Sequence, residues 1–523
     1  MLDKPKIATT LRKAMSYKSQ LIELRDAEQA EQRDNRSGVT ASIVEIFEAA
    51  ITAGELGPGA KLPPTRRLAE LAGVNHLTAA RAYRQLAERG LVSSKVGSGT
   101  FVRAAAAAIP GSSRVKDSIA WQRYVLPEFE ETYGDRVLAE MHSHVQTEGL
   151  IPLSVGYPSE RIFPISDMQE ATETVMRTQP ERALQYSDVR GTQELAEQVA
   201  ALSAARGEEE DIEDIVITSG ATQGLTLAMR AILSPGDVVA CEDPSFMSVI
   251  RAIRAAGAKV QPVPVDADGL DVDALEALLA RTEIRALAIQ PRLHNPTGRD
   301  LSPERRERLL ELVRRHGFFI VEDGIYGELR MDGEERPSLR ADAPAHAIYT
   351  DSLSKTVGGG LRAGWVIASG PVLDRIIAEK RSDDIHTPVL NQLVAAEYLS
   401  RGLYPEQLER ARDHYKRGRA ALEESIERHL GGVAHYLEPL GGGHVWVTLD
   451  SPVSERDLVD EAWRQGVAYA PGGAMSVART QELQLRLSFC YLEPDEMDEA
   501  VRRLASALET LSARPARRAA APV

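Results

Sequence analysis

Asp351-Ser352-Leu353-Ser354-Lys355-Thr356-Val357-Gly358-Gly359-Gly360-Leu361-Arg362-Ala363-Gly364-Trp365 is the stretch on which this 523-residue chain turns. A lysine lies between hydroxyl residues, a glycine run follows, and an arginine stands seven positions beyond the lysine. Ser352, Ser354 and Arg362 can hold a phosphate while the Lys355 amine reaches an adjacent carbonyl. Those are the needs of a lysine carrying pyridoxal 5′-phosphate as a Schiff base. A glycine-rich surface turn with a solvated lysine satisfies the same letters, so the stretch alone does not choose.

Length suits two or three domains with a large core. A hydrophobic content of 43% with 27% charge is that of an ordinary globular chain rather than a disordered one. Lys and Arg number 62 against 77 Asp and Glu, for a net charge of −15. That balance argues against a chain coated for nucleic acid, although a basic patch can sit inside an acidic total. Cys241 and Cys490 supply neither a disulfide framework nor zinc spacing, and no metal site is expected. No apolar run reaches membrane-spanning length and the N-terminus lacks a signal-peptide core, so a cytoplasmic protein without membrane contact is expected.

Residues 1–36 form a charged segment to which no function is assigned. Residues 37–105 read as one unit. An amphipathic helix spans about Val39 to Ala53, with Ile43, Ile46, Phe47 and Ala50 on one face. A Gly-Pro turn and an extended piece follow. Thr65 is expected to cap a short helix ending near Gly73, and a second helix runs from about Leu77 to Arg89. Two short strands, Leu91–Ser94 and Thr100–Val102, close the unit. Helix, helix–turn–helix and β-hairpin make a winged helix–turn–helix. LPPTRRLAELAGV, AYRQLAERGLV and GSGTFV in that order resemble the GntR family of bacterial regulators.

In such a unit the second helix of the turn enters the major groove with its N-terminal residues at base edges. Asn75, His76 and Thr78 then face bases, while Arg66, Arg67, Arg81 and Lys95 face phosphates. Between Lys61 and Arg103 there are eight basic and two acidic residues, a local excess of six inside an acidic chain. Double-stranded DNA carrying repeated half-sites is the implied partner. His76 stands where members of the family often carry arginine, so no base preference transfers.

Residues 106–150 read as a linker, beginning with small and polar residues; the helical spacing between Trp121 and His144 fits the linker or the start of the next domain. From 151 to 512 strands and helices alternate. Apolar runs at Ile215–Ile217, Val238–Ala240, Ala286–Ile289, Phe318–Val321 and Trp365–Ile367 are separated by helical patterns at about 222–233, 246–256, 271–281 and 303–316. That is an α/β lobe with a mostly parallel sheet, followed by a smaller α+β lobe containing strands at His444–Val447 and Leu485–Ser488.

Residues at the ends of those strands suit one cofactor. Ser219-Gly220-Ala221-Thr222-Gln223 turns from a strand into a helix and can take a phosphate. Phe246 can stack on a pyridine, although a lone phenylalanine is more often core. Asn295 and Tyr326 can bond a phenolate oxygen. Asp323 against a pyridine nitrogen keeps it protonated. Arg486 offers a planar fork for a carboxylate, or a plain ion pair.

Taken in order, SGATQG, EDPSF, HNPTG, EDGIY, SLSK with Arg362, and RLSF resemble the fold-type I aminotransferases. The resemblance implies Lys355 as the catalytic lysine, with Asp323, Tyr326, Asn295 and Phe246 around the ring and Ala221, Thr222, Ser352, Ser354 and Arg362 around the phosphate. It further implies Arg486 and Gly156 at the substrate carboxylate, and Tyr186 reaching the phosphate of a partner subunit. Joined to a GntR-type head, this resembles the MocR regulators. The resemblance implies a multidomain, domain-swapped homodimer that senses an amine or amino-acid effector through an aldimine at Lys355 and changes its hold on DNA. An active aminotransferase with a DNA-binding appendage is the alternative. The spacing from Asp323 to Tyr326 follows the ordinary aminotransferases, whereas many MocR members place the tyrosine closer.

Overall fold

Ile215–Thr218, Ala286–Ile289 and Gly364–Ile367 are buried along their whole length. Strands apolar on both faces need a sheet covered on both sides. The computed structural model provides one. It describes residues 17, 21–22, 36–52, 56, 60–89, 91–95, 99–102, 132–334, 336–478 and 482–513. The chain forms two units, Met1–Glu130 and Glu131–Val523.

The first unit holds helices α1 (Arg36–Thr52), α2 (Thr65–Ala72) and α3 (His76–Glu88) and the antiparallel hairpin β1 (Val92–Lys95) and β2 (Gly99–Val102). Ile43, Phe47, Leu68, Ala82 and Leu86 are sealed in its core, joined by Tyr17 and Leu21 from the N-terminal segment. The remainder of that segment, apart from Ile22 and Arg36, lies outside the described residues. Leu62 N–H donates to Thr100 O at 2.8 Å and Val102 N–H to Ala60 O at 2.9 Å, so the extended piece at 60–62 adds an edge to the wing. Thr65 is the first helical residue and not the cap. Pro64 occupies the cap position without a side-chain bond. A proline fixed near the φ of a helix start explains the one-residue difference.

In the second unit eight strands form one sheet. In chain order they are β3 (Ile215–Thr218), β4 (Val238–Asp243), β5 (Lys259–Asp266), β6 (Gly269–Leu270), β7 (Ala286–Ile289), β8 (Phe319–Asp323), β9 (Ala347–Ser352) and β10 (Gly364–Ile367). Their spatial order is β3-β10-β9-β8-β7-β4-β5-β6. The pairs β9/β8, β8/β7, β7/β4 and β4/β5 are parallel, while β10 runs antiparallel between β9 and β3. In a sheet of this kind the crevice at the carboxyl ends of the parallel strands receives ligands. The smaller lobe carries the antiparallel sheet β11 (Ala434–Tyr436), β12 (His444–Leu449), β14 (Leu483–Ser488) and β13 (Ala470–Pro471), in that spatial order.

The expected linker divides at the unit boundary. Its residues 106–131 lie outside the described residues. Tyr133–His144 is a helix, α4, which packs Val137 and Met141 against Met247, Ala470, Ala474 and Met475 of the second unit. Thr132 starts it with a capping box to Asp135. The second unit is Glu131–Val523, so α4 belongs to it. No helix among the described residues is long and apolar enough to cross a membrane.

Candidate functional site

Strand register gathers the site. Ser352 lies opposite Gly364, and Gly364 opposite Thr218, so the Lys355 turn, Arg362 and the Ser219-Gly220-Ala221 turn sit abreast. Thr350 lies opposite Asp323 and Ile289 opposite Glu322, which brings the turns bearing Asp323 and Asn295 alongside. A cavity of about 1000 Å³ opens over these strand ends. Its wall includes Lys355, Asp323, Tyr326, Asn295, Phe246, Ala221, Thr222, Ser352, Ser354, Arg362, Arg486 and Gly156. Tyr186 is not in the wall. It stands 78% exposed with its ring edge-on to His386.

The phosphate-sized corner is built from glycines and one strained residue. Gly220 has φ 89°, and a Cβ there would lie 2.5 Å from Arg362 Nη2. A Cβ on Gly364 would lie 2.5 Å from Gly220 Cα. Arg362 itself has φ 55°, uncommon for a side-chain-bearing residue, and this turn brings its guanidinium to the Ser219 carbonyl. Helix Ala221–Ile232 begins at this corner, so its first N–H groups add a positive dipole end.

Lys355 Nζ donates to Gly156 O at 2.7 Å, and Tyr415 Oη donates to the Lys355 carbonyl at 2.8 Å. Burial, with Arg486 and Arg362 nearby, lowers the lysine pKa against the opposing pull of Cys490 and Asp323. Asp323 accepts Ile325 N–H at 3.2 Å, and burial pushes its carboxyl up to about 7. Arg486 is 2% exposed and donates to Asn295 Oδ1 at 3.1 Å and Ser154 O at 2.7 Å. Its Nε has no partner. A buried guanidinium held only by neutral oxygens is costly unless an anion completes it. Arg486 lies opposite Trp446 across β12 and β14, and its side chain lines the cavity.

Pyridoxal 5′-phosphate fits this donor set. An amine of lowered basicity, a buried carboxyl near neutrality, a cradle of one arginine and a helix start cleared by glycines, and an uncompensated guanidinium share one cavity. Sequence reasoning missed His444, whose Nε2 lies 3.1 Å from Tyr326 Oη, and Tyr415 behind the lysine. The signal for His444 was present in Gly441-Gly442-Gly443-His444, a glycine run opening a strand. At Gly443 a Cβ would meet Cys490 Sγ at 2.2 Å.

On the first unit, Arg66, Arg67, His76 and Arg81 are exposed. Arg67 also pairs with Glu70 at 2.8 Å. Asn75 caps α3, its Oδ1 accepting Thr78 N–H at 2.8 Å, and Thr78 is buried. Asn75, His76 and Leu77 are the exposed positions at this helix start, Leu77 being 76% exposed and not anticipated from sequence, whereas Thr78 faces inward. The Lys95 side chain lies outside the described residues.

A model of bacterial regulatory proteins of the gntR family matches residues 39–102, and one of aminotransferase class I and II matches residues 148–504. The Bacillus subtilis protein named "Uncharacterized HTH-type transcriptional regulator YdfD" is 30% identical, over 90% of this chain and 96% of its own length. The Rhizobium meliloti protein named "Probable rhizopine catabolism regulatory protein MocR" is 27% identical, over 94% of this chain and 98% of its own. Among solved structures, LysN, the alpha-aminoadipate aminotransferase of Thermus thermophilus, complexed with N-(5′-phosphopyridoxyl)-L-leucine, matches with a TM-score of 0.66. It is 33% identical, over 71% of this chain and 97% of that one. Its two units matched in the order shared by those regulators, the chain belongs to the class I and II aminotransferase family, pyridoxal-phosphate dependent, in the MocR form that carries a GntR-type DNA-binding head.

Proposed function

We propose that the protein is a transcriptional regulator that senses a primary amine or amino acid at Lys355 and alters its hold on DNA accordingly. The observation that carries this reading is the convergence of Lys355, Asp323, Tyr326, Asn295 and Arg486 on one cavity, in a chain that also carries a basic winged helix. When bound, pyridoxal 5′-phosphate supplies a carbonyl that condenses with primary amines and a ring that draws electrons from the new bond.

The chain's own groups divide the remaining work. Ser352, Ser354, Arg362 and the Ala221-Thr222 helix start hold the phosphate. Asp323, near neutrality when the site is empty of charge partners, ionises against a ring nitrogen and keeps a proton there. Phe246 covers a ring face, and Asn295 and Tyr326 bond the ring oxygen. Arg486 binds an α-carboxylate next to Gly156, which selects amino acids over simple amines. Lys355 Nζ would hold the cofactor's carbonyl carbon, and when not so engaged it would be able to carry a proton. Binding of an amine at this site would change the fit between the lobes, and the winged heads would respond through the chain that joins them.

Tyr186, exposed and outside its own cavity, supports a head-to-tail homodimer in which it meets the partner's phosphate. On the first unit, Arg66, Arg67, Arg81 and Lys95 meet phosphates, and the exposed start of α3 meets base edges.

The complete set of site residues and the Asp323-to-Tyr326 spacing also favour a second reading, amino-group transfer between an amino acid and a 2-oxo acid, with Lys355 Nζ moving the proton. The test offers a panel of amino acids and oxo acids to the cofactor-loaded protein, following its visible spectrum and assaying new oxo acid. Spectral change without stoichiometric oxo acid supports sensing. Repeated turnover supports transfer. No spectral response to any member removes both.

A further inference from the structure

His444 opens β12, is 2% exposed, and has no part in the roles assigned above. Its Nε2 lies 3.1 Å from Tyr326 Oη, and the two rings meet edge-on at 79° with centroids 5.7 Å apart. Around it stand Tyr326 from the loop after β8, Lys355 from the turn after β9 and Arg486 from β14, with the Gly156 backbone closing the fourth side. Burial raises the pKa of the Tyr326 phenol, with Cys490 and Asp323 adding to the shift and Arg486 opposing it. At Gly156 a Cβ would come within 2.8 Å of His444 Cε1, so the glycine makes room for the ring. Burial first, then Arg486 and Lys355, hold the imidazole well below its ordinary pKa, and it is neutral.

A neutral imidazole has one N–H and one bare nitrogen, and a phenol has one hydrogen. Two proton placements satisfy the 3.1 Å contact. If the phenol donates, the single imidazole hydrogen sits on Nδ1, a buried donor without a partner. If Nε2–H donates, Nδ1 is a buried lone pair in a site that also holds the Arg486 cation. Buried orphan donors are rarer than under-satisfied acceptors, and a lone pair near positive charge is the favourable case. The second placement therefore wins, and it leaves the phenol hydrogen uncommitted.

We propose that His444 is a positioning residue for Tyr326, donating Nε2–H to the phenol oxygen so that the phenol hydrogen points to the cofactor's ring oxygen. This rests on the reading that Tyr326 meets that oxygen. Donation into a hydroxyl also strengthens its own donation onward. A donor at the ring oxygen favours its anionic form, so it lowers the pH at which the lysine-bound cofactor's visible band titrates.

The test is spectrophotometric pH titration of cofactor-loaded, full-length protein. Tyr326→Phe should raise the midpoint. His444→Phe should raise it by about half to one pH unit, the size of one hydrogen bond. His444→Gln, which keeps an N–H donor, should return most of the way to wild type, and Tyr326→Phe/His444→Phe should rise no further than Tyr326→Phe alone. His444→Leu reads the same shift if phenylalanine is not accommodated. Equal midpoints for the Phe and Gln variants, or an additive double variant, overturn the proposal and leave His444 a packing residue. No shift in Tyr326→Phe overturns the underlying reading of Tyr326 instead.

Discussion

At the scale of single residues, the proposed function depends first on Lys355. Lys355→Ala is expected to abolish covalent retention of the cofactor, checked by borohydride reduction and mass spectrometry of the peptides. A labelled peptide from any other lysine in the wild type would remove Lys355 from its role. Asp323 gives a pH-dependent prediction. Burial raises Asp323 to about 7, Glu322 to about 7 and Glu242 to about 8. In the cofactor-free protein the folded state keeps protons that the unfolded chain releases from about pH 4 upward, so these groups make stability fall as pH rises through that window. Asp323→Asn removes one of them. It should raise the melting temperature of cofactor-free protein at pH 8 by a few degrees and by less at pH 5. Thermal denaturation at the two pH values checks this, and a larger gain at pH 5 contradicts it. The residues around Lys355 were legible in sequence because their chemistry is local to short motifs. His444, Tyr415 and Leu77 were not. The first two act through tertiary contacts more than fifty residues away, and the exposure of Leu77 depends on how α3 packs.

At the scale of elements, turn chemistry sets the outcome. Gly364 and Gly220 allow β10 to pass against the start of the helix at Ala221. Gly364→Ala should push that helix start away from Arg362 and weaken cofactor retention at least tenfold, with the fold kept, as read by equilibrium dialysis and circular dichroism. Unchanged retention would show that the cradle does not need this approach. Asn75→Ala should cost the first unit about 1 kcal/mol through the lost cap and weaken binding to all DNA sequences alike, whereas His76→Ala should alter sequence preference. Strands and helices of the α/β lobe stood near the expected positions because their apolar runs are long and buried on both faces. Thr65 did not take the cap position. A proline overrides the usual cap residue there, while α4 finds its partner surface on Met247 and Met475, far away in sequence.

At the scale of the whole molecule, an acidic chain joins a basic GntR-type head to a pyridoxal-phosphate-dependent aminotransferase-type unit, with Lys355 proposed as the link between ligand and DNA. Tyr186→Phe should loosen cofactor binding without disturbing the fold of its own subunit. Mixing it with Lys355→Ala subunits should restore one competent site per mixed dimer, read by stoichiometric cofactor titration. Failure to restore any site would argue against the shared arrangement. Binding to DNA should weaken steeply with salt, as phosphate contacts demand. The most direct test of the central claim is the affinity of cofactor-loaded protein for a duplex spanning the region upstream of its own gene. It is measured with and without each amino acid that alters the visible spectrum, in wild type and Lys355→Ala. A change of about fivefold or more is expected in wild type, and DNA binding by Lys355→Ala is expected no longer to respond. An identical response in both proteins, or a spectral change in wild type that leaves DNA affinity untouched, would contradict it.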